Sequence, residues 1–172
     1  MIRPEELTTD QRERIGAIRA VLTDCDGVLT DAGIYYSMDG EELRRFSVRD
    51  GMGVERLRAV ARIETIIVTR ENSGMIARRG EKLRVEVLLG ARDKLPHVRE
   101  LLAKRSLTLA QCAYIGDDVN DLELLRAVGL SACPADAEPE VRQSVQLVCG
   151  RPGGHGAFRE LAELILAVQS TT

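Results

Sequence analysis

Asp24 and Asp26 stand two positions apart at the end of an apolar run, within VLTDCDGVLTD at residues 21–31. Buried carboxylates repel each other and resist desolvation unless a cation or a proton is shared between them. A strand ending in D-x-D-G therefore points to a site that holds a metal ion and works with an oxygen nucleophile. A second acidic group, GDDVND at residues 116–121, follows another short apolar run. Thr69 closes a third run, and Lys94 opens a helical segment after GARD. Lysine is scarce here: Lys82, Lys94 and Lys104 are the whole complement among 24 Lys and Arg residues. Where arginine is otherwise the rule, a lysine at 94 reads either as a compact ammonium that the site needs or as a plain surface lysine.

These groups need a scaffold that brings distant strand ends together. Apolar runs at 20–23, 63–69, 85–89, 112–115, 130–133 and 146–149 read as strands. Helical spacing marks 51–61, a segment capped by Asn72 or Ser73 and running to about 83, then 93–105, 122–128, 139–144 and 157–168. Pro96 is tolerated in the first turn of its helix. Met38-Asp39-Gly40-Glu41 is a turn signal between strands at 33–37 and 42–48, a β-hairpin. Arg12, Arg14 and Arg19 read as a solvated helix face. Alternating strands and helices imply an α/β fold, a Rossmann-like parallel sheet with helices on both faces and a hairpin after the first strand. Ligands in such folds bind at the carboxyl ends of the strands, where all the marked residues fall. The expected organisation is one domain over 1–172, with a hairpin flap at about 33–48 and a C-terminal tail at about 150–172. From Asp24 to Thr69 there are 45 positions, and from Thr69 to Asp117 there are 48. Core elements fill both intervals, so no cap domain is expected.

Bulk composition excludes several classes. The 172 residues are 44% hydrophobic and 30% charged, with net charge -3, so nothing marks a nucleic-acid surface. Aromatics are only 3%, which predicts an aliphatic core and no base-stacking platform. Cys25, Cys112, Cys133 and Cys149 form no C-x-x-C pair and read as reduced, buried thiols of a cytoplasmic protein. MIRPEELTTD has no apolar core of a signal peptide, and no run is long enough to span a bilayer. His97 and His155, the two histidines, are not expected to act in catalysis.

Taken in order, DCDGVLTD, Thr69, Lys94 and GDDVND resemble the four motifs of the haloacid-dehalogenase-like phosphotransferase superfamily. DGVLTDAGIYYS, FSVRDGMGVERL, AYIGDDVNDLELLRAVGLSACPADA and GGHGAFRELAELIL resemble the capless 3-deoxy-octulosonate (KDO) 8-phosphate phosphatases and their nonulosonate 9-phosphate relatives. The resemblance covers roughly residues 16–168. It implies a Mg²⁺-dependent phosphatase of a small sugar-acid phosphate, assembled as a homotetramer with the hairpin between subunits. By the same resemblance Asp24 and Asp117 give carboxylates to Mg²⁺ and Asp26 gives its backbone carbonyl. Asp24 attacks phosphorus to form an aspartyl-phosphate, and Asp26 handles the proton. Lys94 and Thr69 face the phosphoryl oxygens, while Asp118, Asn120 and Asp121 support the metal waters or Lys94. The cation answers a physical need: two unit charges about 4 Å apart interact by about 4 kcal/mol at an effective dielectric near 20.

Substrate choice is less legible. Many KDO 8-phosphate phosphatases carry T-G-R after the second-motif strand, whereas this chain reads Thr69-Arg70-Glu71. Glu71, Arg79 and Lys82 look like the nonulosonate 9-phosphate pattern, with Arg79 suited to a sugar carboxylate. Two other readings compete. Similar domains appended to vertebrate cytidylyltransferases serve mainly in oligomerisation, but the intact acidic group at 117–121 favours catalysis. A receiver domain also uses an acidic pocket, a Thr and a Lys, but in a different order.

Overall fold

The computed structural model describes residues 4–170. Its framework is a six-stranded parallel sheet with spatial order β5-β4-β1-β6-β7-β8. The strands are β1 (Ala20–Thr23), β4 (Glu64–Val68), β5 (Glu86–Leu88), β6 (Cys112–Ile115), β7 (Leu130–Cys133) and β8 (Leu147–Val148). All of β1 is buried, as is β6, which a central strand covered on both faces requires. From β1 the chain builds first toward β4 and β5, then returns to add β6, β7 and β8 on the other side. That reversal opens a crevice beyond the carboxyl end of β1.

The helices are α1 (Thr9–Ala17), α2 (Val48–Arg56), α3 (Gly74–Leu83), α4 (Lys94–Lys104), α5 (Leu122–Ala127), α6 (Pro139–Ser144) and α7 (Ala157–Gln169). One face of the sheet packs Val21 and Ile67 against Ile15, Val54, Ile76, Phe158 and Ile165 from α1, α2, α3 and α7. The other packs Leu22, Ile66 and Tyr114 against Val98, Leu102, Leu125 and Val141 from α4, α5 and α6. The core is aliphatic, as the composition requires, with Phe158 and Tyr114 its largest fully buried side chains. All four cysteines are buried and free. No helix of the described residues is long and apolar enough to cross a membrane.

The expected hairpin is present, but its strands are longer at the start and the turn is tighter. They are β2 (Thr30–Ser37) and β3 (Gly40–Phe46), and Ser37 pairs with Gly40 across the two-residue turn Met38-Asp39. Gly40 takes φ 116°, a conformation that L side chains rarely adopt. α2 begins at Val48 instead of 51, because Ser47 caps it: its Oγ accepts from the backbone N–H of Arg49 and Asp50. Gly53 then lets α2 approach α7 closely, since a Cβ there would lie 3.1 Å from Arg159 Cα. Residues 57–61 continue α2 as a wider π turn ending at Arg62 in the left-handed region. Arg12 and Arg14 are exposed on α1, as expected of a solvated helix face, whereas exposed Arg19 lies beyond the end of that helix.

Because Phe158 is fully buried where α7 meets α2, Phe158→Ala is expected to destabilise the fold by about 3–5 kcal/mol. Urea unfolding with an unchanged m-value checks this.

Candidate active site

The loops after β1, β4 and β6 converge at the crevice. Asp24 extends the β1–β6 ladder by one rung, its N–H donating to the Ile115 carbonyl at 2.9 Å. The chain then folds back at once: the Cys25 carbonyl accepts from the N–H groups of Leu29 and Thr30 at 2.9 and 3.0 Å. Gly27 has φ 86°, and a Cβ there would overlap Asp117 Oδ2 at 1.9 Å. Glycine is needed both for the backbone angle and for letting the β1 loop touch the β6 loop.

Lys94 is the pivot of the site. It is the first residue of α4 and only 2% exposed. Its Nζ donates to Asp24 Oδ1 at 2.7 Å, to Asp121 Oδ1 at 2.5 Å and to the Tyr114 hydroxyl at 3.1 Å. Burial works to lower its pKa, but Asp24 and Asp121 outweigh that and hold it above the usual lysine value. Asp121 is fully buried and fully engaged. Its Oδ1 also accepts from Tyr114 at 2.6 Å, and its Oδ2 accepts from the N–H groups of Asp117 and Asp118 at 3.0 and 3.4 Å.

Asp117 faces the crevice with its Oδ1 buried and lacking a hydrogen-bond partner. Desolvation raises the pKa of Asp24 well above the ordinary carboxylate range, with Lys94 opposing and Asp121 adding to it. Desolvation and the neighbouring Asp24 do the same to Asp117. Asp24, Asp117 and Asp121 each bring one oxygen within 4.8 Å of the others. An orphaned buried oxygen beside crowded carboxylates with one ammonium among them is a donor set that fits a hard divalent cation. Since Lys94, Tyr114 and backbone amides already fill the lone pairs of Asp121, Asp24 and Asp117 are the carboxylates left to bind one.

Thr69 follows β4 and is 2% exposed; its Oγ accepts from the Glu71 N–H at 3.1 Å, which leaves the hydroxyl hydrogen to donate. Asp26 is half-buried, with Arg44 of β3 at 2.5 Å on Oδ2 and the Thr30 hydroxyl at 3.3 Å on Oδ1. Burial raises its pKa despite Arg44. A cavity of about 210 Å³ gathers Asp24, Asp26, Thr69, Arg70, Glu71, Asp117, Asp118 and Asn120 along its walls. Asp118 also caps the 3₁₀ turn Val119–Asp121, its Oδ1 accepting from the Val119 N–H.

Arg79 and Lys82 do not line that cavity. Arg79 donates to the Ser47 carbonyl at 2.9 Å and lies over the Phe46 ring, while Lys82 is exposed on α3. His97 is exposed and hydrogen-bonded at Nδ1 to its own helix at the Asp93 carbonyl; exposed His155 lies 3.5 Å from Arg45. Sequence reasoning passed over Tyr114 and Arg44. Tyr114 carries a hydroxyl in the middle of a wholly buried strand, a polar tip that must find a partner. Arg44 alternates inward between Leu43 and Arg45, a signal visible in the period of a strand.

Residues 59–161 match the family model of haloacid dehalogenase-like hydrolases. The chain is 37% identical over 159 residues to the 3-deoxy-D-manno-octulosonate 8-phosphate phosphatase KdsC of Haemophilus influenzae, covering 92% of this chain and 88% of that one. The cobalt-bound structure of the Haemophilus influenzae phosphatase YrbI superposes with a TM-score of 0.88 at 37% identity, covering 91% of this chain and 92% of that one. The Moraxella catarrhalis phosphatase solved with magnesium ion, phosphate ion and KDO superposes at 0.90 with 32% identity, covering 95% of each chain. The chain belongs to the haloacid dehalogenase-like hydrolase family, and it is a phosphoric monoester hydrolase within it.

The crowded carboxylates tie stability to pH and to any cation that binds them. A carboxyl whose folded pKa is raised stabilises fully below its unfolded value of about 4, and that contribution is lost as pH rises through the folded value. Metal-free protein is therefore expected to lose thermal stability from about pH 4 through neutrality on account of Asp24 and Asp117. Mg²⁺ should raise the melting temperature more at pH 8 than at pH 5. Thermal melts with and without Mg²⁺ check this, and a Mg²⁺ shift independent of pH would count against the carboxylate site.

Proposed function

We propose that this chain is a Mg²⁺-dependent phosphatase of a sugar-acid phosphate, with KDO 8-phosphate the leading substrate and an aspartyl-phosphate on Asp24 as intermediate. The observation that carries the reading is the Lys94–Asp24 contact of 2.7 Å beside the orphaned oxygen of Asp117. The KdsC names of its relatives, at 36–39% identity over most of the chain, support KDO 8-phosphate.

The chemistry follows from charge. A carboxylate attacking a phosphate dianion must overcome repulsion. Asp24 and Asp117, with the Asp26 backbone carbonyl, would hold Mg²⁺, which would supply the countercharge. Lys94 adds a second positive charge and holds Asp24 in one rotamer. Thr69 donates its hydroxyl hydrogen to a phosphoryl oxygen. Asp24 attacks phosphorus in line, and the bond to the sugar oxygen breaks as Asp26 gives that oxygen a proton. Asp26, now a carboxylate, takes a proton from water. The resulting hydroxide attacks phosphorus, releases phosphate and restores Asp24. Asp121 positions Lys94 and the β6 loop, and Asp118 and Asn120 line the approach.

A second substrate reading has its own support. Arg70 and Glu71 stand at the cavity wall where a T-G-R segment would put glycine and arginine, which favours a nonulosonate 9-phosphate. Arg79, held at the Ser47 carbonyl, and exposed Lys82 lie outside that cavity and add no support to this reading. Assembly with copies of this chain, as a homotetramer in the cytoplasm, has a physical basis in the hairpin: Tyr35, Tyr36, Met38 and Leu43 are all more than 60% exposed.

Purified protein is expected to release phosphate from KDO 8-phosphate with Mg²⁺, and Asp24→Asn to abolish turnover. Chelation with EDTA should do the same, reversibly. A screen that includes a nonulosonate 9-phosphate decides between substrates by kcat/KM. Turnover that survives either loss sinks the mechanism. Light scattering at micromolar concentration is expected to give a tetramer, and Tyr36→Glu to shift it toward smaller species; a wild-type monomer would remove the intersubunit role of the hairpin.

A further inference from the structure

Arg44 is an expensive residue in its place. Its side chain is fully buried, and moving a guanidinium out of water costs several kcal/mol unless partners compensate. It finds them on three segments. One nitrogen meets Asp26 Oδ2 at 2.5 Å. Two others fork onto Glu41, at 2.9 Å to Oε1 and 3.1 Å to Oε2. Glu71, at the cavity wall, lies 3.7 Å away. Glu41 in turn accepts from the Ser73 hydroxyl, the N-cap of α3, at 3.4 Å. One guanidinium thus joins the hairpin, the loop after β4 and the loop after β1.

The bond to Asp26 has a consequence for proton transfer. Arg44 occupies Oδ2 with a short, charge-assisted contact, whereas Oδ1 holds only the 3.3 Å bond from Thr30. Oδ1 is therefore the oxygen left to meet a leaving group or water. Resting on the phosphatase reading above, we infer that Arg44 is a positioning residue: it clamps Asp26 through Oδ2 and aims Oδ1 at the reacting oxygen. The proton then passes between Oδ1 and the sugar oxygen in the first step, and between water and Oδ1 in the second. Strand alternation makes this depend on hairpin register. Leu43 and Arg45 face outward on either side of Arg44, so a one-residue slip would withdraw the guanidinium from Asp26.

A structural tie and a positioning role differ in what they do to different leaving groups. p-Nitrophenolate departs without a proton, whereas a sugar alkoxide needs one. Arg44→Gln is expected to lower kcat on the sugar-acid phosphate by about 10- to 100-fold, within the range of general acid catalysis, with KM changed less than about 3-fold. The burst of p-nitrophenolate from p-nitrophenyl phosphate should keep its rate to within about 3-fold, since that step does not draw on the acid. In the Asp26→Asn background, adding Arg44→Gln should cost less than about 2-fold more, because residues acting as one unit are not additive. Arg44→Lys, which keeps the charge but loses the fork onto Glu41, should recover part of kcat and serves if the glutamine variant fails to fold. Equal losses for both leaving groups, or additive losses across the double mutant, overturn the inference while Asp24-dependent turnover stands. Turnover that survives Asp24→Asn overturns the phosphatase mechanism and this inference with it.

Discussion

Concentrated negative charge at the carboxyl ends of two adjacent buried strands, β1 and β6, is the constraint around which this molecule is built. Asp24, Asp117 and Asp121 bring oxygens within 4.8 Å of one another, and Lys94 is the ammonium among them. Three carboxylates around one ammonium leave charge over, and desolvation raises the pKa of both Asp24 and Asp117. The cluster is not arranged for stability. It is an anionic seat whose remaining charge suits a hard cation and a phosphoryl group.

Much of the surrounding structure serves to keep that seat rigid. Asp121 gives its four lone-pair positions to Lys94, Tyr114 and two backbone amides, so it cannot drift toward the crevice. Tyr114 reaches it from the middle of β6, tying the site to the sheet. Glycines do the close work. Gly116 passes where a Cβ would meet Asp121 Oδ2 at 2.5 Å, and Gly153 passes where one would meet the Gly27 carbonyl at 1.8 Å. The C-terminal tail is thereby laid directly on the loop after β1, with the Gly154 N–H donating to the Val28 carbonyl.

The hairpin is the second organising element, and its two faces have different duties. The inward face delivers Arg44 to Asp26, and the outward face exposes Tyr35 and Leu43, which pair across the strands. A chain with no cap domain must limit water at its site by other means. An apolar outer face suits contact with another copy, and the inner face holds Arg44 against Asp26.

The sequence by itself determined most of the scaffold and marked the residues that gather at the crevice. Short apolar strands ending in Asp24, Thr69 and the Gly116–Asp121 segment were legible because period and residue type are local properties, and β6, β7 and α6 fall at their expected bounds. Lys94 was marked by its place in the order of motifs, with the scarcity of lysine as a second sign. Element ends set by capping were less legible: α2 starts at Val48 because of the Ser47 hydroxyl, and the hairpin turn closes at Ser37 and Gly40. Tertiary structure alone decided which side chains meet. It paired Arg44 with Asp26 across 18 residues and Lys94 with Asp24 across 70. It also turned Arg79 toward Ser47 and Phe46, away from the cavity that Glu71 lines. Such contacts depend on strand order, helix packing and register, and no spacing along the chain encodes them until the sheet has closed.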